Sequence, residues 1–134
     1  MFLIDTDVLS ELRKRSRNEG VVAWMESTRS TDLFLSVVTI GEIERGIVQQ
    51  RNRDPAFAVA LAGWLDRLLM TYGDRILGID LAVARCWGRL SGTAGHGGAD
   101  LMIAATALEH GLTVVTRNTR HFDPTQVPTL NPFA

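Results

Sequence analysis

Apolar residues fall into two kinds of run along this chain. The first kind is short and unbroken: Phe2-Leu3-Ile4 ahead of Asp5, Leu33 to Ser36, Ile76 to Ile79 and Leu112 to Thr116 carry no polar alternation. Such blocks are the pattern of strands buried on both faces of a parallel sheet. Val127 to Leu130 predicts a further edge strand, limited by Pro128. In the second kind, apolar residues recur every three or four positions, as in Leu61, Trp64, Leu65, Leu68 and Leu69, which lay a broad hydrophobic face on one helix. Strands separated by helices throughout predict an α/β chain, a three-layer α/β/α sandwich around a mainly parallel sheet of four to five strands. One domain over residues 1–134 is expected, with no internal repeat.

The punctuation between runs sharpens this order. Asp7 reads as the cap of a helix from Val8 to Leu12, with Ser10 in support. Glu19 to Ser27 predicts a second helix, and Thr39-x-x-Glu42 fits a capping box opening a third through about Gln50. Asp54-Pro55 starts a fourth, with proline at the first helical position, and Gly73-Asp74 ends it. Asp80 caps a fifth from Leu81 to about Leu90; the glycine-rich Ser91 to Gly98 then reads as a flexible linker. Asp100 opens an alanine-rich helix, Leu101 to His110, that Gly111 closes, and Asn118 is placed to cap a last short turn.

Composition narrows the class: 46% hydrophobic and 22% charged residues is a soluble globular balance. A net charge of −1 excludes a bulk polyanion-binding field, so any such surface is local. The clusters Arg13, Lys14, Arg15, Arg17 and Arg45, Arg51, Arg53 are the places to look, each also readable as a solvated helix face. Cys86 is the only cysteine, which rules out an intrachain disulfide and a cysteine-rich metal site, and its neighbours make it a small buried hydrophobe. The N-terminal apolar run lacks a basic leader, and Ala56 to Met70 is too short and too interrupted to span a bilayer. A cytoplasmic protein without membrane contact is the resulting expectation.

Chemistry concentrates at the ends of the strands. Asp5 follows the first directly, Glu42 lies just after the second, Asp100 starts the helix before the fourth, and Asn118 follows the fourth. In an open α/β sheet these positions share one edge, where ligands gather. Clustered carboxylates repel one another unless a cation neutralises them, and hard oxygen ligands suit Mg²⁺ or Mn²⁺, which bridge to phosphate oxygens. Hydrolysis of a nucleic-acid phosphodiester is the natural use. The structural alternative stands beside each: Glu42 completes a capping box, and Asp100 and Asn118 are helix caps. His96 reads as an exposed loop residue; His110 and His121, near helix ends, complement the helix dipole and carry no assigned chemistry.

Four segments in order, Leu3-Ile4-Asp5-Thr6-Asp7-Val8-Leu9-Ser10-Glu11, Ser36 to Glu42, Asp100 to Ala107 and Val115 to Thr119, resemble PIN-domain ribonucleases. They resemble in particular the VapC toxins of prokaryotic toxin–antitoxin pairs, in the branch close to FitB. The resemblance implies a Mg²⁺- or Mn²⁺-dependent endoribonuclease that blocks translation by cutting RNA, in several relatives transfer or ribosomal RNA. Asp5, Glu42 and Asp100 match the family's acidic positions: Asp5 and Asp100 as main metal ligands, Glu42 acting through water or as a base. Thr6 and Thr116 match supporting hydroxyl positions. The family's fourth acidic position falls at or near Asn118, a neutral amide here, while the acidic residue often found before the phenylalanine is His121; Asp123 is the nearest substitute. With that departure the resemblance implies a single tightly held ion. It also implies a homodimer and a small VapB- or FitA-like antitoxin that covers the toxin and binds operator DNA, with the helix face from Ala56 to Met70 compatible with such coverage.

Two other functions fit parts of the pattern. Asp5-x-Asp7 after a hydrophobic strand resembles the first motif of haloacid dehalogenase-like phosphatases, with Asp5 as nucleophile, but those enzymes need a later cation and the only lysine is Lys14. A PIN-like module that binds RNA or protein without cutting is the non-enzymatic reading, motivated by Asn118 and the glycine-rich loop.

Overall fold

Each apolar block forms a strand because it feeds two cores at once. In β1 (Phe2–Ile4), Ile4 joins one core while Leu3 joins the other; in β4 (Thr113–Val115), Val115 and Val114 divide the same way. In β2 (Leu33–Ser36), Leu33 and Leu35 face the first core and Phe34 packs against the second. The missing polar alternation thus reports a sheet covered on both sides, as a parallel sheet requires. With β3 (Ile76–Leu77) and β5 (Thr129–Leu130) the computed structural model, which describes residues 1–134, has one parallel sheet in the order β3-β2-β1-β4-β5. The expected three-layer architecture holds, with all five strands parallel.

Helices α1 (Thr6–Arg13), α2 (Glu19–Ser27), α3 (Val37–Arg53) and α4 (Pro55–Tyr72) close the first core, to which Val8, Leu9, Val21, Ile43, Ile47, Leu61, Leu65 and Leu68 contribute. The opposite layer comprises α5 (Leu81–Ala94), α6 (Ala99–His110) and α7 (Thr119–Phe122). There Ile103, Ala104, Ala107 and Phe122 pack on Leu3 and Val114, and Cys86 is buried beside Val83 and Ala105 as a small apolar residue. The small α6 side chains let that helix lie close against the central strand. No helix is long and apolar enough to cross a membrane.

Several expected boundaries move, each for a local reason. The first half of the glycine-rich linker is helix: α5 runs on through Ser91, Gly92 and Thr93 to Ala94, ending where Gly95 takes a left-handed φ of 79° that only glycine adopts freely. α3 starts at Val37, with the Ser36 hydroxyl accepting from the Val38 N–H, so Thr39 lies inside the helix and no capping box forms. α6 starts after Gly98, which leaves Asp100 in the first turn rather than at the cap. The strands β3, β4 and β5 are shorter than their apolar runs, since pairing involves only two or three residues of each.

The last residues return to the start of α2. The Asn18 carboxamide oxygen caps α2 by accepting from the N–H groups of Gly20 and Val21, and also accepts from the Ala134 N–H. Gly20 makes room for this: a Cβ there would lie 2.5 Å from the Pro132 carbonyl oxygen and 2.6 Å from the Ala134 nitrogen. Gly88 in mid-α5 has open space instead. Urea denaturation is therefore expected to show Gly20→Ala destabilised by about 1–3 kcal/mol through overpacking. Gly88→Ala is expected to gain about 0.5–1 kcal/mol from helix propensity and a less disordered unfolded chain.

Candidate active site

The sheet order reverses at β1: the chain moves outward to β2 and β3, then crosses back to β4 and β5. The crevice beyond the C-terminal ends of β1 and β4 is therefore the topological switch point, where open α/β sheets bind ligands. Asp5 and Thr116 are the first residues past those two ends. The Thr116 hydroxyl donates to Asp5 Oδ2 at 2.8 Å, and the Asp5 N–H donates to the Val115 carbonyl at 2.9 Å. Asp5 also caps α1, its Oδ1 accepting from the Thr6 N–H at 2.8 Å.

Asp7 is thus not the cap that the sequence suggests, because the helix begins at Thr6, two residues before Val8, and carries Asp7 around into the crevice. There Asp7 Oδ2 accepts from the Arg117 N–H at 3.0 Å and from the Asn118 side-chain amide at 3.4 Å, and lies 3.4 Å from the Thr116 hydroxyl. Its other oxygen, Oδ1, is buried with no hydrogen-bond partner. Asn118 precedes α7 but makes no side-chain cap; its amide goes to Asp7. Its own N–H donates to the Thr116 hydroxyl at 3.1 Å.

Glu42 reaches the site through a second hydroxyl. The Thr6 hydroxyl donates to Glu42 Oε1 at 2.7 Å and lies 3.1 Å from the hydroxyl of buried Thr39. Glu42 is exposed, one turn into α3, and bonds neither Thr39 nor the start of its own helix. Asp5, Thr6, Asp7, Thr39, Glu42, Thr116 and Asn118 consequently form one connected polar network.

Asp100 stands apart from that network in its bonding. It lies in the first turn of α6, which runs back antiparallel to β4 and so begins at the same sheet edge, but its near neighbour is His121, with Nδ1 at 3.5 Å from Asp100 Oδ2. His121, assigned no chemistry from sequence, is therefore part of the rim. Asp123 is exposed in the turn after Phe122, with no side-chain hydrogen bond to the acidic groups. His96 and His110 are exposed, and neither pairs with the acidic residues of the site.

Electrostatics set the demand at this edge. Burial, then the Asp7 charge, push the Asp5 carboxyl up from its ordinary 3.8 to about 6, against the bonds from Thr116 and Thr6, with Glu42 adding a smaller upward push. Burial also raises Asp7, opposed by the Arg117 N–H. The only lysine, Lys14, sits at the far end of α1 and pairs with Glu11 at 2.9 Å. No phosphatase-type lysine thus reaches Asp5, and Arg13 of the same basic cluster stacks on Phe57 at 4.9 Å.

The donors fit a hard divalent cation of a particular kind. All are oxygens, one carboxylate oxygen is buried without a partner, and burial together with the neighbouring Asp7 charge makes a second carboxylate resist ionisation. No three His, Cys, Asp or Glu side chains are gathered into a cage. Mg²⁺ and Mn²⁺ suit such a site, because these ions keep several waters and bind through one or two carboxylates. Asp5 is the donor the geometry places best; Glu42 and Asp100 are close to the edge but not drawn in beside it.

Comparison with known proteins extends this description. The family model described as PIN domain matches residues 2–126. Toxin FitB of Neisseria gonorrhoeae is 36% identical, with 99% of both chains covered. VapC ribonuclease Y4jK of Sinorhizobium fredii is 33% identical over 99% of this chain and 98% of its own. Among solved structures, that of FitAB bound to an IR36 DNA fragment superposes with a TM-score of 0.87 at 34% identity, covering 100% of this chain and 96% of that one.

The raised Asp5 value makes stability pH-dependent with a definite sign. Between its unfolded 3.8 and its folded value of about 6 the folded chain binds the extra proton, so this group's contribution falls as pH rises through that window. In metal-free buffer, Asp5→Asn is expected to be more stable than the parent by about 2–3 kcal/mol at pH 7.5. Thermal unfolding across pH 4–8 checks this, and the gap should close toward pH 4.

Proposed function

The chain belongs to the PIN-domain family, and on that premise we propose that it is the toxin of a toxin–antitoxin pair, a Mg²⁺- or Mn²⁺-dependent endoribonuclease that hydrolyses RNA and so inhibits translation. The observation that carries this reading is the half-buried Asp5 carboxylate at the switch point, wired to Thr116, Asp7, Thr6 and Glu42 and short of positive charge. Names carried by the similar proteins, a toxin and a ribonuclease, support it.

Asp5 would be the principal ligand of the ion, with Asp100 and, through water, Glu42 completing its surroundings. A bound divalent cation supplies neutralisation of the phosphodiester and a lowered pKa for attacking water. The chain's own groups do the rest. Thr116 fixes which Asp5 oxygen faces the crevice, and Thr6 holds Glu42 where it accepts a proton from water. Asn118 takes the place of a further carboxylate and donates its side-chain amide to Asp7 Oδ2, and a neutral group at that position argues for a single ion. The proposal includes a homodimer and a small antitoxin that covers the toxin and docks the pair on operator DNA, in line with the DNA-bound FitAB structure.

Purified free of any partner, the protein is expected to cut total RNA into discrete fragments with Mg²⁺ or Mn²⁺, and not with EDTA. Asp5→Ala, Asp100→Asn and Glu42→Gln are each expected to lower the cleavage rate about 100-fold or more, read by single-turnover gels. RNA binding without cleavage by any metal-loaded preparation of the folded protein would instead establish a binding module. Expression alone should arrest growth, and coexpression of the adjacent small gene should restore it.

A further inference from the structure

Four cavities mark the surface. The largest, about 290 Å³, lies between α3 and α4 and is lined mainly by apolar residues, remote from the carboxylates. A second, about 220 Å³, lies at the rim of the acidic site and is lined by Arg117, Asn118, Thr119, Arg120 and His121, with no apolar residue among them. These five consecutive residues span the crevice, from Asp7, which holds the Arg117 N–H and the Asn118 amide, to Asp100, which faces His121. Neither arginine belongs to an ion pair. Arg117 is nevertheless held in place, its guanidinium 4.2 Å over the Phe133 ring.

We propose that this pocket binds a backbone phosphate of the RNA next to the one being cleaved, with Arg117 and Arg120 as its cations. The inference rests on the ribonuclease reading. A chain of net charge −1 has no overall field to draw in a polyanion, and an acidic crevice repels one, so affinity has to come from cations beside the site. Arg117 and Arg120 supply two, on the segment that a strand crossing from Asp5 to Asp100 must pass. Guanidinium groups match phosphate oxygens in geometry, and the stacking on Phe133 orients Arg117 before the ligand arrives.

The test is fluorescence anisotropy of a labelled single-stranded RNA on the full chain in EDTA, over a salt series, with cleavage kinetics in Mn²⁺ run in parallel. Arg120 is exposed and unpaired, so Arg120→Ala should fold normally. It is expected to weaken binding about three- to tenfold and flatten the salt dependence by about 0.7 in log–log slope, the signature of one lost phosphate contact. Adding Arg117→Ala should deepen both effects, and Arg120→Lys should retain most of the slope. Arg29→Ala, at the opposite edge of the sheet, should change neither. In cleavage, Arg120→Ala should raise KM and leave kcat largely intact. Unchanged affinity and slope in both alanine variants overturn the proposal, as does failure of the parent to bind RNA. Loss of binding to poly-glutamate with RNA affinity unchanged also overturns it, and assigns the pocket to an acidic protein. A parent that binds RNA through these arginines but never cleaves refutes the ribonuclease reading and leaves the pocket standing.

Discussion

A carboxylate fused to the end of the central strand is the constraint on which the rest depends. β1 is hydrogen-bonded to a neighbour on each side and covered by a core on each face, so Asp5 cannot swing away from the crevice without taking the sheet with it. Its charge is partly desolvated there, and the fold offers hydroxyls and N–H groups but no lysine or arginine side chain to balance it. A site of this kind costs stability in the metal-free chain, the trade of stability for function expected where charges are preorganised, and a bound cation would restore it.

The neighbours of Asp5 are placed by the same fold. Thr116 arrives because β4 pairs with β1 in register, Ile4 opposite Val115, so the next residue on each strand meets at the edge. Thr6 and Asp7 arrive because α1 starts directly after β1. Glu42 arrives because α1 and α3 share one core and bring Thr6 beside Thr39. On the other side of the crevice, the packing of α6 on Leu3 brings its first turn, with Asp100, to the same edge. The segment from Arg117 to His121 then bridges the two halves and contributes two arginines to the rim.

Much of this was legible in the residues. Unbroken apolar blocks signalled a two-sided parallel sheet, and the positions of Asp5, Glu42, Asp100 and Asn118 after strands or at helix starts signalled a shared edge, while Thr116 was marked only by the family resemblance. The failures have physical causes. Asp5 and Asp7 are both good caps, and only the helix start, set by β1 pairing with β4, decides between them. Thr39-x-x-Glu42 has the spacing of a capping box, but Ser36 caps the helix first and frees Glu42 for Thr6. The glycines of Ser91 to Gly98 suggested a linker, yet packing of α5 against α6 outweighs the low helix propensity of Gly92 and carries the helix to Ala94, ending only at Gly95. The pairing of His121 with Asp100 left no mark in sequence because the two are remote along the chain.

The most direct test of this account is a carbon-13 titration of the aspartate side-chain carboxyls, in metal-free protein and again with saturating Mg²⁺. Asp5 is expected to titrate near 6 without metal and to fall below its ordinary 3.8 with it, as the cation supplies positive charge beside the carboxylate. An Asp5 that titrates at the same pH in both samples would contradict the claim that this carboxylate is the ligand around which the site is built.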